Sequence, residues 1–252
     1  MAAGIRVAWP EAQLRVLEMD LASLNSVRSF AGTVLETEKS LDVLINNAGI
    51  MMCPFGRTRE GFEIQMGTNH LGHFALTGLL LPLLQATKDA RVVVTSSLAH
   101  RWGNLNFDDF QWTGRKYNSQ KAYGDSKLAN LYFAYELHRR LEAARRTSPG
   151  SPAGPRVTVA HPGWTATNLQ KHSGFMMSMN QVLAQGPDKG VLPTLRAAFD
   201  PNAGSGDYFG PAGFLELSGH PVKVRSNPRS HEKEPARRLW ELSEELTGVR
   251  YP

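Results

Sequence analysis

A single cysteine, Cys53, stands in a chain of 252 residues, so no internal disulfide can staple it. Disulfide-rich scaffolds belong to oxidising compartments, and a reducing, cytoplasmic setting is expected instead. No basic-then-apolar leader opens the sequence, so no signal peptide is read. The longest apolar stretch, Leu71 to Leu84, is interrupted by His73, Thr77 and Pro82. It falls short of the roughly 20 apolar residues that span a bilayer, and no transmembrane segment is expected. A field of one sign is also lacking. The net charge is +5, yet Lys223, Arg225, Arg229, Lys233, Arg237 and Arg238 alternate with Glu232, Glu234, Glu241, Glu244 and Glu245. Such interleaving reads as a solvated helix face rather than a nucleic-acid surface. Glycine is scarce in one place: residues 1–48 hold only Gly4 and Gly32. No fixed period recurs, which excludes repeat architectures. What is present is a chain 41% hydrophobic and 20% charged. That composition excludes disorder and suits a single domain over residues 1–252.

Short apolar runs alternate with longer amphipathic ones. Strands are predicted at Leu14–Met19, Leu41–Ile45, Arg91–Thr95 and Arg156–Ala160. Helical spacing runs through Leu24, Val27, Phe30, Ala31, Val34 and Leu35, across His70–Ala86 and Gln120–Arg145, and near 188–199 and 232–246. Continuous apolar strands such as Val92-Val93-Val94, separated by helices, predict an α/β doubly wound parallel sheet covered on both faces. Ligands bind such sheets at the carboxyl ends of the strands. Asp20, Asn46–Gly49, Ser96–Ser97 and His161–Gly163 each follow a predicted strand.

The chemistry-bearing residues lie at those strand ends and on one helix. Tyr123 and Lys127, at i and i+4, share a helix face. A neighbouring cation favours a phenolate, so the pair can exchange a proton with an alcohol or carbonyl, and a phenol pKa below the usual 10 is expected. Asn47, Ala48 and Gly49 offer a small-residue floor that a flat ring can approach, or an ordinary turn. Ser97 offers a hydroxyl to a substrate oxygen. Asn69 is read either as a helix N-cap or as a group orienting water near Lys127. Pro162, Gly163, Thr165 and Thr167 form a rigid turn with exposed donors. His70 and His73 are read as core or capping groups and His161 as structural, with no metal site. Cys53 lacks a basic neighbour. Phe175–Met179, Trp102 and Trp112 suit either an apolar pocket or plain packing.

Taken together, Leu44-Ile-Asn-Asn-Ala-Gly-Ile-Met-Met52, Thr68-Asn-His-Leu-Gly-His-Phe74, Tyr123-Gly-Asp-Ser-Lys127, Ser126-Lys-Leu-Ala-Asn130 and Leu239-Trp-Glu-Leu-Ser-Glu-Glu-Leu246 resemble the short-chain dehydrogenase/reductase family. The likeness is closest to its retinol-dehydrogenase-like branch and actinobacterial relatives. The resemblance implies a Rossmann-like oxidoreductase moving hydride between NADP or NAD, NADP being favoured, and a small apolar alcohol or carbonyl. Tyr123 would be the general acid/base and Lys127 would lower its pKa and hold the nicotinamide ribose. Ser97 would position the substrate oxygen, and Asn69 would support a water relay. Asp20 would face the adenine, and Asn47, Ala48 and Gly49 would line the adenosine ribose. Pro162, Gly163, Thr165 and Thr167 would surround the nicotinamide amide and pyrophosphate. Homo-oligomeric assembly is compatible with it.

The family's opening strand, Thr-Gly-x-x-x-Gly-x-Gly turn, helix and next strand have no counterpart before Asp20. The expectation is therefore a sheet lacking its first two strands and its phosphate turn, an N-terminally incomplete domain. Dinucleotide binding by these 252 residues is expected to be poor, because a helix N-terminus anchors the phosphates. The strand at Leu14–Met19 would lose its neighbour, and that at Leu41–Ile45 would present a bare edge. The alternative is a non-catalytic relative serving interaction or regulation.

Overall fold

The computed structural model describes residues 2–147, 154–164 and 185–251. Helix α1 (Ala2–Ala8) leads into an irregular stretch, and α2 (Leu24–Thr37) begins at Ser23, whose hydroxyl accepts the Ser26 N–H. Strand β1 (Val43–Asn46) precedes α3 (Gly72–Ala86), and β2 (Arg91–Thr95) precedes the long α4 (Ser119–Thr147). Then come β3 (Arg156–Ala160), α5 (Leu192–Phe199), β4 (Tyr208–Pro211), β5 (Pro221–Lys223) and α6 (Lys233–Thr247).

The sheet order is β1-β2-β3-β4-β5, parallel except for the antiparallel β4–β5 pair. Every residue of β2 is buried, because helices cover both faces of this inner strand. Leu71, Phe74, Leu80, Leu84, Val92, Val94, Leu131, Phe133 and Trp240 form one face of the core. Ala197, Ala198 and Phe209 pack with Val93 and Ala160 on the other. The parallel α/β architecture expected from the alternating runs is therefore present.

Two expectations are corrected. Leu14–Met19 is not a strand; it runs without ladder hydrogen bonds, though Leu17 and Met19 still pack on the core. A strand exists only where a neighbour takes its backbone groups, and β1 is the edge of the sheet, with Ile45 37% exposed. The helix expected from His70 starts earlier, as a helical turn at Ile64–Met66 and a π turn at Gly67–Leu71. No strand was expected at β4 and β5, which carry Gly210, Pro211 and Pro221, residue types common in turns, yet β4 is wholly buried beside β3. Tertiary burial overrides the local propensity there.

Candidate active site

The parallel register sets the carboxyl ends of three strands side by side. Asn46 pairs with Val94, and Thr95 with Ala160, so the turns at 46–49, 96–97 and 161–163 share one rim. Helix α4 runs behind that rim and supplies Tyr123 and Lys127 one helical turn apart, both buried.

Asn69 lies inside the π turn and caps nothing; the carboxylate of Glu63 caps the helix start by accepting the Gln65 and Met66 N–H groups. Fully buried, Asn69 accepts the Ile50 N–H at 2.8 Å through Oδ1. Its Nδ2 donates to the Ile50 carbonyl and to Ser126 Oγ, both at 2.9 Å. Ser126 in turn donates to the Tyr123 carbonyl at 2.8 Å. The π turn and helix α4 are thus tied through one hydroxyl. Ser96 Oγ donates to the Lys127 carbonyl at 2.9 Å, and Asn130 Nδ2 to the Thr95 carbonyl at 3.0 Å, which fix α4 against β2. None of Ser126, Ser96 and Asn130 received a role from sequence reasoning. The signal for Ser126 and Asn130 was their place within or one turn after the Tyr-x-x-x-Lys spacing, and that for Ser96 its place directly after β2.

The Lys127 ammonium, 5% exposed, donates to the Thr95 carbonyl at 3.4 Å and sits 5.7 Å from the centre of the Tyr123 ring. Burial lowers its pKa to about 8. Tyr123 does not follow the expected direction. Burial raises its phenol to about 12, and the hydrogen bond with Ser97 offsets this only in part. Desolvation disfavours the phenolate, so at neutral pH the phenol holds its proton. The Ser97 hydroxyl also accepts the Ala99 N–H at 3.2 Å, opening the short 3-10 helix Leu98–Trp102.

Gly49 faces this group. A Cβ there would lie 2.9 Å from Asn69 Oδ1 and 3.6 Å from Lys127 Nζ, so the bare backbone keeps the space in front of the ammonium open. Asn47 and Ala48 are exposed on the rim, and the Ala48 carbonyl accepts from His73 Nε2 at 2.8 Å. Gly163 takes φ +67, a left-handed conformation that glycine adopts freely, and the Pro162 carbonyl accepts from Gln185 at 2.8 Å. Asp20 is exposed, its carboxylate accepting the Ala22 N–H at 2.9 Å, and among the described residues no hydrogen bond joins it to the Tyr123 group. Thr165, Thr167 and Phe175–Met179 lie outside the described residues.

Buried and neutral, His70 (pKa about 3) and His73 (about 4) contact Ser243 and Ala48 rather than a shared centre. Burial and Glu63 push the Cys53 thiol up, away from reactivity. Trp112 packs beneath the Arg115 guanidinium at 3.6 Å, whereas Trp102 remains half-exposed.

A nicotinamide riboside fits part of this rim: a buried ammonium, with one 3.4 Å hydrogen bond among the described residues, faces a glycine floor. Both early glycines, Gly4 and Gly32, lie inside helices α1 and α2, so neither forms a phosphate-binding turn.

Similarity to known proteins agrees with this geometry. The family model for short chain dehydrogenase matches residues 2–176. Human (Homo sapiens) retinol dehydrogenase 13 is 40% identical over 245 residues, 93% of this chain and 69% of that protein. Human retinol dehydrogenase 14 is 40% identical over 246 residues, 94% of this chain and 68% of that one. A solved structure of a protein from Mycobacterium Paratuberculosis shares 41% identity and superposes with a TM-score of 0.78, covering 99% of this chain and 81% of that one. With an α/β sheet of the right order, a buried Tyr–Lys pair at its carboxyl rim and these likenesses, the chain belongs to the short-chain dehydrogenase family and is an oxidoreductase.

Proposed function

We propose that the chain interconverts an apolar aldehyde or ketone, retinoid-like in character, with its alcohol, using NADP or NAD. The nicotinamide, when bound, supplies or accepts the hydride. Ser97 donates a hydrogen bond to the substrate oxygen and sets it beside the phenol. Tyr123 Oη delivers a proton to that oxygen in reduction and takes it back in oxidation. Burial raises the phenol's pKa to about 12, so at neutral pH it carries the proton it donates in reduction. Lys127 contributes positive charge that stabilises the phenolate after transfer, and it would hold the ribose hydroxyls over Gly49. Asn69 keeps the π turn against Ile50 and α4. The observation that carries the reading is the buried Tyr123 phenol one helical turn from the buried Lys127 ammonium, which lies 5.7 Å from the phenol ring, at the rim that also carries Ser97.

The test is NADPH oxidation with a panel of medium-chain aldehydes and retinal, comparing the chain with Tyr123→Phe. Loss of the proton donor should reduce kcat about 10²–10⁴-fold with unchanged circular dichroism. Turnover by Tyr123→Phe at the wild-type rate would refute the assignment.

A second reading, a non-catalytic relative, draws on the two early glycines lying within helices. Calorimetric titration with NADPH tests the second reading, which saturable binding refutes.

A further inference from the structure

His161, directly after β3, is fully buried. Its Nδ1 accepts the Gly163 N–H at 3.2 Å, so Nε2 carries the proton and donates to Glu216 Oε2 at 2.9 Å. The other carboxylate oxygen of Glu216 accepts from Arg101 at 2.7 Å. Arg101 belongs to the 3-10 helix that Ser97 opens, and the Ser97 carbonyl accepts from His100 Nδ1 in that same turn at 2.6 Å. One continuous chain of polar contacts therefore joins the Pro162–Gly163 turn to the Ser97 turn, through a carboxylate on the loop between β4 and β5.

That loop is held in an unfavourable shape. Leu215 and Glu216 are consecutive non-glycine residues in the left-handed region, at φ 52 and φ 60. Residues with a Cβ stay there only when their surroundings over-determine them. The surroundings do so here: the Leu217 carbonyl accepts the Trp164 N–H at 2.7 Å, and a Cβ on Gly163 would lie 2.5 Å from that same oxygen. A Cβ on Gly210 would overlap the His161 ring. The arrangement aims one carboxylate at two partners on opposite sides.

We infer that Arg101–Glu216–His161 is a positioning strut, fixing the distance between the Ser97 hydroxyl and the Pro162–Gly163 turn. Resting on the oxidoreductase reading, the strut sets the separation of substrate oxygen and nicotinamide, and reaction rates depend steeply on such alignment. Arg101 and Glu216 are positioning residues; neither touches the reacting atoms.

Arg101→Met removes the far end of the strut at a partly exposed site, where an ion pair adds little stability. The expected result is at least about tenfold faster hydrogen exchange at the Gly163 and Trp164 amides, which Arg101 does not touch. It comes with kcat lowered about tenfold, aldehyde KM within twofold, the melting temperature nearly unchanged, and partial rescue by Arg101→Lys. Unchanged exchange at Gly163 and Trp164 overturns the strut whether or not the protein turns over. Accelerated exchange with unchanged kcat also overturns it, leaving only a brace. The Tyr123→Phe comparison separates the two ideas: loss of turnover there, with Arg101→Met indistinguishable from wild type, rejects the strut and keeps the oxidoreductase reading.

Discussion

Lys127→Met should make this protein more stable while making it inactive. The folded chain holds the ammonium 5% exposed, with one 3.4 Å hydrogen bond among the described residues, and burial lowers its pKa from 10.5 to about 8. At 1.36 kcal/mol per pKa unit that shift corresponds to about 3 kcal/mol of destabilisation. The sign follows from proton binding. Between pH 8 and 10.5 the unfolded chain binds more protons at this site than the folded one, so stability rises with pH there. Below pH 8 the full penalty is present; above 10.5 it is gone. A methionine of similar shape has no charge to desolvate. Urea unfolding followed by tryptophan fluorescence at pH 7 should show Lys127→Met more stable by about 3 kcal/mol, or roughly 6–12 °C in Tm. At pH 10 the difference should shrink to about 1 kcal/mol. A variant less stable than wild type at pH 7, or a difference independent of pH, would refute the reasoning. Retained activity would separately refute the role given to the ammonium.

Two further outcomes follow from the packing. Trp240 is 2% exposed and touches Phe74, Phe133 and Tyr251, with the Arg140 guanidinium 4.5 Å from its ring. Trp240→Ala should cost about 3–5 kcal/mol by calorimetry, and a loss under about 1 kcal/mol would mean that α6 is not part of the core. Because burial lowers His70 to about 3 and His73 to about 4, the unfolded chain takes up their protons first, and stability falls as pH drops from 6.5 towards 3–4. Each histidine should remove roughly 2–3 kcal/mol by pH 4.5, so His70→Gln should lose correspondingly less between pH 7 and 4.5 in urea unfolding.

Sequence alone determined the elements whose side-chain period matches their environment. Arg91–Thr95 and Arg156–Ala160 are strands with the expected limits, because an inner parallel strand must be apolar on both faces. The amphipathic runs became α2 and α6 for the matching reason, one apolar stripe each, whereas α4 is buried on every face from Ala122 to Leu137. The placement of Tyr123 and Lys127 on one face also followed from spacing. Tertiary structure decided what spacing does not encode. Whether Leu14–Met19 is a strand depended on a partner for its backbone, and whether Tyr-Phe-Gly-Pro at 208–211 is one depended on the open side of β3. Only the fold brought Asn69 to Ser126 across 57 positions, or His161 to Glu216 across 55. The acid–base character of Tyr123 was decided there too: sequence supplies the neighbouring cation, but desolvation depends on what covers the phenol, and burial raised the pKa that proximity alone would have lowered.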